Sequence, residues 1–257
     1  MIAPDTLING DCLDVMENIP DKSIDMILCD LPYGTTKCHW DCIIPFDKLW
    51  KQYTRIIKKG CPIVLFGTEP FASKLRLSNL KWFKYDWVWL KSKSGSAFTA
   101  KYRPVNKHEM IMVFGNGKTT YHPQCTSGTP YHRDVIRKSD APNNHKMGFK
   151  RTIEVNDGYR YPVTYQYFQQ KWRKQDQLHP TQKPVALCEY LIKTYSNEGD
   201  VVLDNCCGSG TTAVACINTN RKYVCIEKDL GYFEIAKNRI ETTKQQVKLS
   251  LGDKNGN

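Results

Sequence analysis

The chain has 257 residues, with 37 Lys and Arg against 26 Asp and Glu, which gives a formal net charge of +11. This length fits one α/β domain with an insertion, or a large and a small domain. There is no run of about 18 apolar residues and no signal-peptide pattern, so neither a membrane span nor secretion is predicted, and a basic chain favours polyanionic partners such as nucleic acid.

The first part of the chain alternates between strand-like and helix-like segments. Apolar runs predict strands and amphipathic patterns predict helices, in the order strand 6–9, helix 12–19, strand 24–30, helix 46–58, strand 62–66, helix 70–80, strand 82–90 and strand 109–114. The last part continues with helix 185–196, strand 200–204, helix 213–219, strand 222–226 and helix 230–246. This alternation predicts an α/β fold with a doubly wound, mostly parallel sheet built from both ends of the chain.

The middle of the chain, 117–178, interrupts this alternation. It carries 11 Lys and Arg against 5 Asp and Glu, and it is rich in Gly, Pro and aromatic residues. We interpret it as an insertion with its own, partly loop-like structure.

The eleven cysteines are predicted to be reduced. Several lie within apolar runs, as Cys29 and Cys225 do, and the absence of a secretion signal indicates a cytoplasmic protein in which they pack as small hydrophobic groups. One candidate metal cluster combines Cys38, His39 and Cys42, but no second Cys/His pair at zinc spacing follows nearby. No bound metal is therefore predicted.

A glycine-containing segment follows the predicted strand that ends at Asp204. Gly208 and Gly210 precede a helix, so the backbone can approach a ligand closely and the helix start offers free N–H groups. Glu227 ends the next strand, where an acid can accept hydrogen bonds from a ribose. The segment departs from the G-x-G-x-x-G pattern of NAD-binding proteins, and a purely structural turn is the alternative.

A second motif, Asp30–Leu31–Pro32–Tyr33, closes the strand at 24–30. An exocyclic amine is a poor nucleophile because its lone pair is delocalised into the ring. The Asp30 carboxylate and the Leu31 carbonyl can accept its two protons and localise the lone pair, while Pro32 fixes the turn and Tyr33 can stack on an extruded base. An ordinary loop with these residue types is the alternative.

A third segment, His-Pro-Thr-Gln-Lys-Pro at 179–184, leads into the helix at 185–196. Pro184 suits the first helical position, and Lys183 with the helix start can hold a carboxylate such as that of a methionine moiety. A simple helix cap is the alternative.

Together these segments resemble the DNA amino-methyltransferase family, whose N6-adenine and N4-cytosine members carry D-P-P-Y or S-P-P-Y. Their order matches the permuted, beta-type arrangement. The resemblance implies a circularly permuted methyltransferase fold with a seven-stranded sheet containing one antiparallel strand, S-adenosylmethionine as cofactor and double-stranded DNA as partner. It divides the chain into a catalytic half (1–116), a target-recognition insertion (117–178), a cofactor-binding half (179–251) and a tail (252–257).

The resemblance also assigns roles by position. The catalytic positions are Asp30, Leu31, Pro32 and Tyr33. The cofactor positions are Asp11, Cys12, Asp30, Lys183, Asp204, Cys206, Gly208, Ser209, Gly210, Thr211, Thr212 and Glu227. Leu31 replaces the first proline of the motif, but the acceptor needed there is a main-chain carbonyl. Asn205, Cys206 and Cys207 replace the usual proline-phenylalanine, which removes an aromatic near the cofactor.

The acid at Asp30, rather than serine, favours adenine N6 over cytosine N4 as the target, and N4-cytosine methylation is the alternative. Methylation of RNA or protein, and a catalytically silent DNA-binding protein, are further alternatives. The candidate phosphate contacts are Lys146, Lys150, Arg151, Arg160, Lys171, Arg173 and Lys174. His39, Trp40 and Asp41 are predicted to line the base pocket. A homodimer and a partner restriction endonuclease stay open, and the expected location is the bacterial cytoplasm.

Overall fold

The computed structural model describes residues 2–35, 41–93, 100–138, 149–170 and 182–252. Two compact units are present: Met1–His122 with Thr164–Asn257, and Pro123–Val163. Among the helices described, none combines the length and apolar character needed to cross a membrane.

The strands and helices follow the predicted alternation closely. The strands are β1 (Thr6–Asn9), β2 (Met26–Cys29), β3 (Ile63–Gly67), β4 (Phe83–Lys91), β5 (His108–Phe114), β6 (Thr126–Ser127), β7 (Tyr131–Lys138), β8 (Phe149–Asn156), β9 (Tyr159–Arg160), β10 (Tyr165–Phe168), β11 (Val201–Asp204) and β12 (Lys222–Glu227). The helices are α1 (Cys12–Met16), α2 (Phe46–Ile56), α3 (Phe71–Ser78), α4 (Val185–Tyr195), α5 (Thr211–Asn218) and α6 (Leu230–Gly252).

The larger unit is built on one sheet with the strand order β1-β12-β11-β2-β3-β5-β4-β10. Strand β5 runs antiparallel to both of its neighbours, and the other neighbouring pairs are parallel. The predicted mostly parallel sheet with one antiparallel strand is thus confirmed.

The sheet has eight strands where seven were expected. The additional strand, β10, pairs with β4 at the edge of the sheet and lies within the segment assigned to the insertion. Its pattern was hard to read because Tyr165 and Tyr167 face solvent, as residues of an edge strand can. A short strand with so little buried apolar surface has only a weak sequence signal.

Both faces of the sheet are covered by helices. In β2, Ile27 and Cys29 pack in one core with α1, α2 and α3, whereas Met26 and Leu28 pack in a second core with α4, α5 and α6. Successive residues of a strand point to opposite faces, so a strand buried on both sides reads as a continuous apolar run. The doubly wound arrangement is therefore confirmed.

The centre of the sheet joins the two ends of the chain. Strands β11 and β2 are parallel neighbours, with Leu203 opposite Ile27. The chain passes from β2 through α2 to β3 on one side, and from β11 through α5 to β12 on the other. This reversal creates a crevice at the carboxyl ends of β2 and β11, where ligands of open α/β sheets bind.

The second unit, Pro123–Val163, contains two antiparallel strand pairs, β6 with β9 and β7 with β8. This unit covers fewer residues than the insertion predicted at 117–178. The strands β7 and β8 were not predicted individually, because their charged residues obscured the strand pattern.

Candidate active site

A cavity of about 720 Å³ opens at the carboxyl edge of the sheet. Its lining takes residues from both ends of the chain. Those that the sequence had singled out are Asp11, Cys12, Asp30, Leu31, Pro32, Tyr33, Lys183, Asp204, Cys206, Gly208, Ser209, Thr211, Thr212 and Glu227. The structure therefore brings the acid-bearing turn and the glycine-containing segment to one cavity, because β2 and β11 are adjacent and parallel.

Asp30 follows β2 directly, and both of its carboxylate oxygens have partners. Oδ1 accepts a 2.5 Å hydrogen bond from the hydroxyl of Tyr33, and Oδ2 forms an ion pair with the ammonium group of Lys183. Burial raises the pKa of Asp30, and Lys183 opposes that rise. The side chain is 24% exposed, so the carboxylate is fixed in place yet open to the cavity.

Lys183 lines the cavity, but its ammonium group already lies between two carboxylates of the protein. Besides Asp30, Nζ contacts Oε2 of Glu109 at 3.3 Å. Burial by itself would lower the pKa of Lys183, but Asp30 and Glu109 raise it above its ordinary value. Glu109 was not singled out from the sequence, although an acid within the apolar run of β5 was the available signal.

The ring of Tyr33 packs on Phe71, with ring centroids 4.9 Å apart and planes tilted by 31°. Its burial raises the pKa of the phenol well above the ordinary value. The hydroxyl therefore stays a proton donor to Asp30, and this contact sets the orientation of the carboxylate.

The acids of the glycine-containing segment stabilise its backbone. Asp204 accepts hydrogen bonds from the Thr212 hydroxyl at 2.5 Å and from the Cys206 N–H at 3.1 Å, and burial raises its pKa to about 6. Glu227 accepts from the N–H groups of Gly208 and Asp229, each at 2.8 Å. The two carboxylates thus hold the loop in one conformation.

Arg239 of α6 supports the same loop from outside the predicted set. Its Nη1 donates to the carbonyl of Ser209 at 3.1 Å, to the Ser209 hydroxyl at 3.3 Å and to the Thr211 hydroxyl at 3.0 Å. Burial lowers the pKa of this guanidinium. An arginine on an amphipathic helix resembles a solvated surface residue in sequence, so no pattern indicated this contact.

Gly210, predicted to contact the cofactor, is not among the residues that line the cavity. It precedes α5 with φ at 76°, and a Cβ there would lie 3.0 Å from the Cβ of Ala236. The left-handed backbone and the close approach of α6 account for this glycine without a ligand. Gly210 thus has a role in helix packing, and its contact with the cofactor stays a prediction.

Asp11 lies at the start of α1 and accepts a 3.0 Å hydrogen bond from the N–H of Leu13. Its other oxygen contacts Nζ of Lys228, also at 3.0 Å. Asp11 and Glu227 thus lie at the carboxyl edge of neighbouring strands, on the part of the cavity lining contributed by β1 and β12.

Comparison with known proteins identifies the family. Residues 24–238 match the family model of N6 and N4 DNA methylases. The chain belongs to this DNA methylase family. It is 29% identical to the type II methyltransferase M.HpaI of Haemophilus parainfluenzae, over 92% of this chain and 74% of that protein. It is 28% identical to the DNA adenine methyltransferase YhdJ of Escherichia coli K12, over 92% and 82% of the two chains.

Solved structures show the same fold at low identity. The M1.HpyAVI–SAM complex aligns with this DNA methylase with a TM-score of 0.62 and 22% identity, over 91% of this chain and 98% of that one. PvuII DNA methyltransferase, described as cytosine-N4-specific, aligns with a TM-score of 0.64 and 15% identity, over 92% and 86%. The methyltransferase fold expected from the sequence is confirmed.

After the turn at Asp30–Tyr33 of this DNA methylase, Asp41 anchors the chain. Its Oδ1 accepts from the N–H of Gly34 at 2.8 Å and its Oδ2 from the N–H of Thr35 at 2.9 Å. Asp41 also lines the cavity. Cys38, His39 and Trp40, named in the sequence analysis, lie outside the described residues.

Of the basic residues predicted to contact phosphate, Arg160 is the one whose side chain is described. It donates to Asn156 Oδ1 and, at 2.5 Å, to the carbonyl of Thr129, and its guanidinium lies 5.0 Å from the Tyr131 ring. These contacts give Arg160 a structural role within its own unit. Lys150 and Arg151 belong to β8, and the residues outside the described ranges are Lys146, Lys171, Arg173 and Lys174.

Proposed function

We propose that this DNA methylase transfers a methyl group from S-adenosylmethionine to the exocyclic N6 of an adenine flipped out of duplex DNA. One observation carries the proposal. The Asp30 carboxylate and the loop at 204–212 line the same cavity, at the carboxyl ends of two adjacent parallel strands. An amine held at Asp30 is thereby placed beside a nucleoside-sized pocket.

The residues of the cavity fit this cofactor. Its volume of about 720 Å³ lies within the range of small-molecule sites, roughly 300–1,000 Å³. Gly208 has φ at 53° and brings a side-chain-free backbone to the wall. Glu227 is suited to accept hydrogen bonds from ribose hydroxyls, and Asp11 lies on the neighbouring strand edge. When bound, the cofactor supplies an electrophilic methyl group on a sulfonium.

The chain prepares the amine for attack. Asp30, and the Leu31 carbonyl at the turn, accept hydrogen bonds from the two N6 protons and localise the nitrogen lone pair. On transfer, N6 gains the methyl group and gives up one proton, for which Asp30 is the adjacent acceptor. Tyr33 holds Asp30 through Oδ1, and its ring offers a surface against which a flipped base can stack.

Two observations support adenine as the target. The acid of the motif is Asp30, whereas the N4-cytosine pattern often has serine. A relative that this chain matches over 92% of its length is a DNA adenine methyltransferase. PvuII methyltransferase, described as cytosine-N4-specific, shares the fold, so the alternative is tested directly.

The test is methylation of duplex DNA with labelled cofactor, followed by digestion to nucleosides and mass spectrometry. N6-methyladenine is expected, and N4-methylcytosine as the product would overturn the adenine assignment. Asp30→Ala should abolish turnover while calorimetry shows cofactor affinity within about threefold of wild type, because Asp30 faces the amine. Turnover by this variant at the wild-type rate would refute the role of Asp30. RNA and protein substrates serve as the comparison.

We assign target recognition to the basic insertion, with phosphate contacts from Lys146, Lys150, Arg151, Lys171, Arg173 and Lys174. Binding to duplex DNA should then weaken steeply as salt rises, because each neutralised phosphate releases counterions. A flat salt response would contradict this assignment. The bacterial type II methyltransferases that this chain resembles support a cytoplasmic location.

A further inference from the structure

Four charged side chains form a continuous row, Lys91, Glu109, Lys183 and Asp30, and the last three of them line the cavity. Lys91 pairs with Oε1 of Glu109, Lys183 contacts Oε2 of Glu109 at 3.3 Å, and Lys183 pairs with Oδ2 of Asp30. The exposed fractions of the Glu109 and Lys183 side chains are 10% and 7%. We call these four residues the charged row.

Within the charged row, the two carboxylate oxygens of Glu109 are paired unequally. Lys91 already neutralises Glu109 at one oxygen, and Oε2 of Glu109 accepts no hydrogen bond from the residues that the structure describes. Its contact with Lys183 is therefore electrostatic. Buried carboxylates are normally paired and hydrogen-bonded, and one left partly unsatisfied requires an explanation.

We infer that Glu109 is a positioning residue that shares the positive charge of Lys183 with Asp30, so that Asp30 remains a strong acceptor for the substrate amine. This inference rests on the proposed role of Asp30. Without Glu109, the ammonium of Lys183 would be fully available to Asp30. A carboxylate that is completely neutralised by one ammonium in a water-poor site is a weak acceptor for an amine that becomes positively charged.

The pKa shifts within the charged row agree with this geometry. Burial raises the pKa of Asp30, Lys183 lowers it and the negative charge of Glu109 raises it again. Burial would also raise the pKa of Glu109, but Lys183 and Lys91 hold it below its ordinary value, so Glu109 stays ionised. The titratable or charged groups facing Asp30 or its partners are Cys29, Tyr33, Lys91, Glu109, Lys183, Cys188 and Asp204.

Substitutions at Glu109 and at Lys91 should shift the acid limb in opposite directions, because they remove charges of opposite sign. In Glu109→Gln the Lys183 charge acts on Asp30 alone, so Asp30 is protonated only at lower pH. The acid limb of the single-turnover rate should move down by about one pH unit, and the plateau rate should fall about tenfold. In Lys91→Met the charged row gains a net negative charge, which favours protonation of Asp30. The acid limb should therefore move to higher pH.

The experiment measures single-turnover methylation of duplex DNA between pH 5 and 9, with enzyme in excess so that product release does not mask the methyl transfer. Calorimetric cofactor affinity and thermal unfolding are recorded for the same variants, and the cofactor affinity should stay near wild type for Glu109→Gln. Glu109→Asp should restore part of the plateau rate. The matched control is Asp86→Asn. Asp86 lies on β4, and its half-buried carboxylate is paired with Arg76 of α3. The acid limb of this control variant should not move.

Three outcomes would overturn the inference: an unmoved acid limb in Glu109→Gln, a shift to higher pH in that variant, or a shift in the same direction in Lys91→Met. If Glu109→Gln fails to fold, Lys91→Met alone decides, because it leaves Asp30, Lys183 and Glu109 in place. Asp30→Asn separates the two proposals. An active Asp30→Asn variant would remove the proposed role of Asp30, whereas an inactive one with an unmoved Glu109→Gln limb removes only the role of Glu109.

Discussion

The hydroxyl of Tyr53 donates a 2.5 Å hydrogen bond to Oδ1 of Asn205, joining α2 to the loop that follows β11. Both residues are buried. Asn205 stands where the resemblance given in the sequence analysis implies a proline. Here the loop is tied to α2 by a side-chain amide, so Tyr53 contributes to the shape of the cavity without lining it.

Tyr53→Phe should lower the free energy of unfolding by about 1–2 kcal/mol, because it leaves the buried Asn205 carbonyl without its donor. Urea denaturation measures the change. Tyr102→Phe is the control, since Tyr102 is 87% exposed and its loss of a hydroxyl should change stability by less than about 0.5 kcal/mol. Equal stabilities for the two variants would show that the Tyr53 bond contributes nothing.

Gly210→Ala should destabilise the protein for two separable reasons. The residue has φ at 76°, and a Cβ there would press on Ala236 at the start of the packing between α5 and α6. Gly199→Ala is the matched control, because φ is 81° and no atom lies within 4 Å of its Cβ position. The left-handed backbone should cost each variant about 1–2 kcal/mol, and Gly210→Ala should cost more. Urea denaturation of both gives the packing cost by difference, and equal losses would contradict it.

Much of the fold and the outline of the site were predictable because their signals are local. An apolar run that is closed by an acid, as at Asp30 and Asp204, indicates the carboxyl edge of a parallel sheet. The partner of each acid was not predictable. Glu109 meets Lys183 only after β5 has been inserted antiparallel between β3 and β4, and Arg239 reaches Ser209 only when α6 packs on the loop.

Gly210 shows a related limit. The sequence alone does not distinguish a glycine that contacts a ligand from a glycine that allows a helix to pack closely. The packing role of Gly210 is visible only in the distance to Ala236, a residue 26 positions away whose approach is fixed by the packing of α5 and α6.

Arg239→Met should weaken cofactor binding by about tenfold, because the buried carbonyl of Ser209 and the hydroxyl of Thr211 lose their shared donor and the loop is no longer held from behind. Isothermal titration calorimetry measures the affinity. Arg239→Lys should give an intermediate value, since a single ammonium cannot reproduce the planar donor arrangement. Lys237→Met, an exposed position on the same helix, is the control. Wild-type affinity in Arg239→Met would reject the supporting role.

Asp41→Ala should slow single-turnover methylation while leaving cofactor affinity within about threefold of wild type, because the backbone N–H groups of Gly34 and Thr35 lose their acceptors just after the catalytic turn. The expected loss in rate is about 10- to 100-fold, since a small displacement of a reacting group is costly. Asp41→Asn retains one acceptor oxygen and should lie between. A rate equal to that of wild type in Asp41→Ala would show that the turn holds its shape without this anchor.

Thr212→Val should destabilise the protein more at pH 8 than at pH 5. The pKa of Asp204 is raised to about 6 in the folded protein, above its ordinary value, so Asp204 contributes stability at low pH that is lost as pH rises through 6. The Thr212 hydroxyl donates to the ionised carboxylate and offsets part of that loss.

Its removal should therefore cost about 1–3 kcal/mol at pH 8 and less at pH 5, as measured by urea denaturation at both pH values. Thr219→Val is the matched control, because Thr219 is equally buried, at 4% exposure, and its hydroxyl donates to the backbone carbonyl of Ala215, which does not titrate. The control should lose the same free energy at both pH values. A pH-independent loss in Thr212→Val would mean that Asp204 is ionised, or protonated, throughout this range.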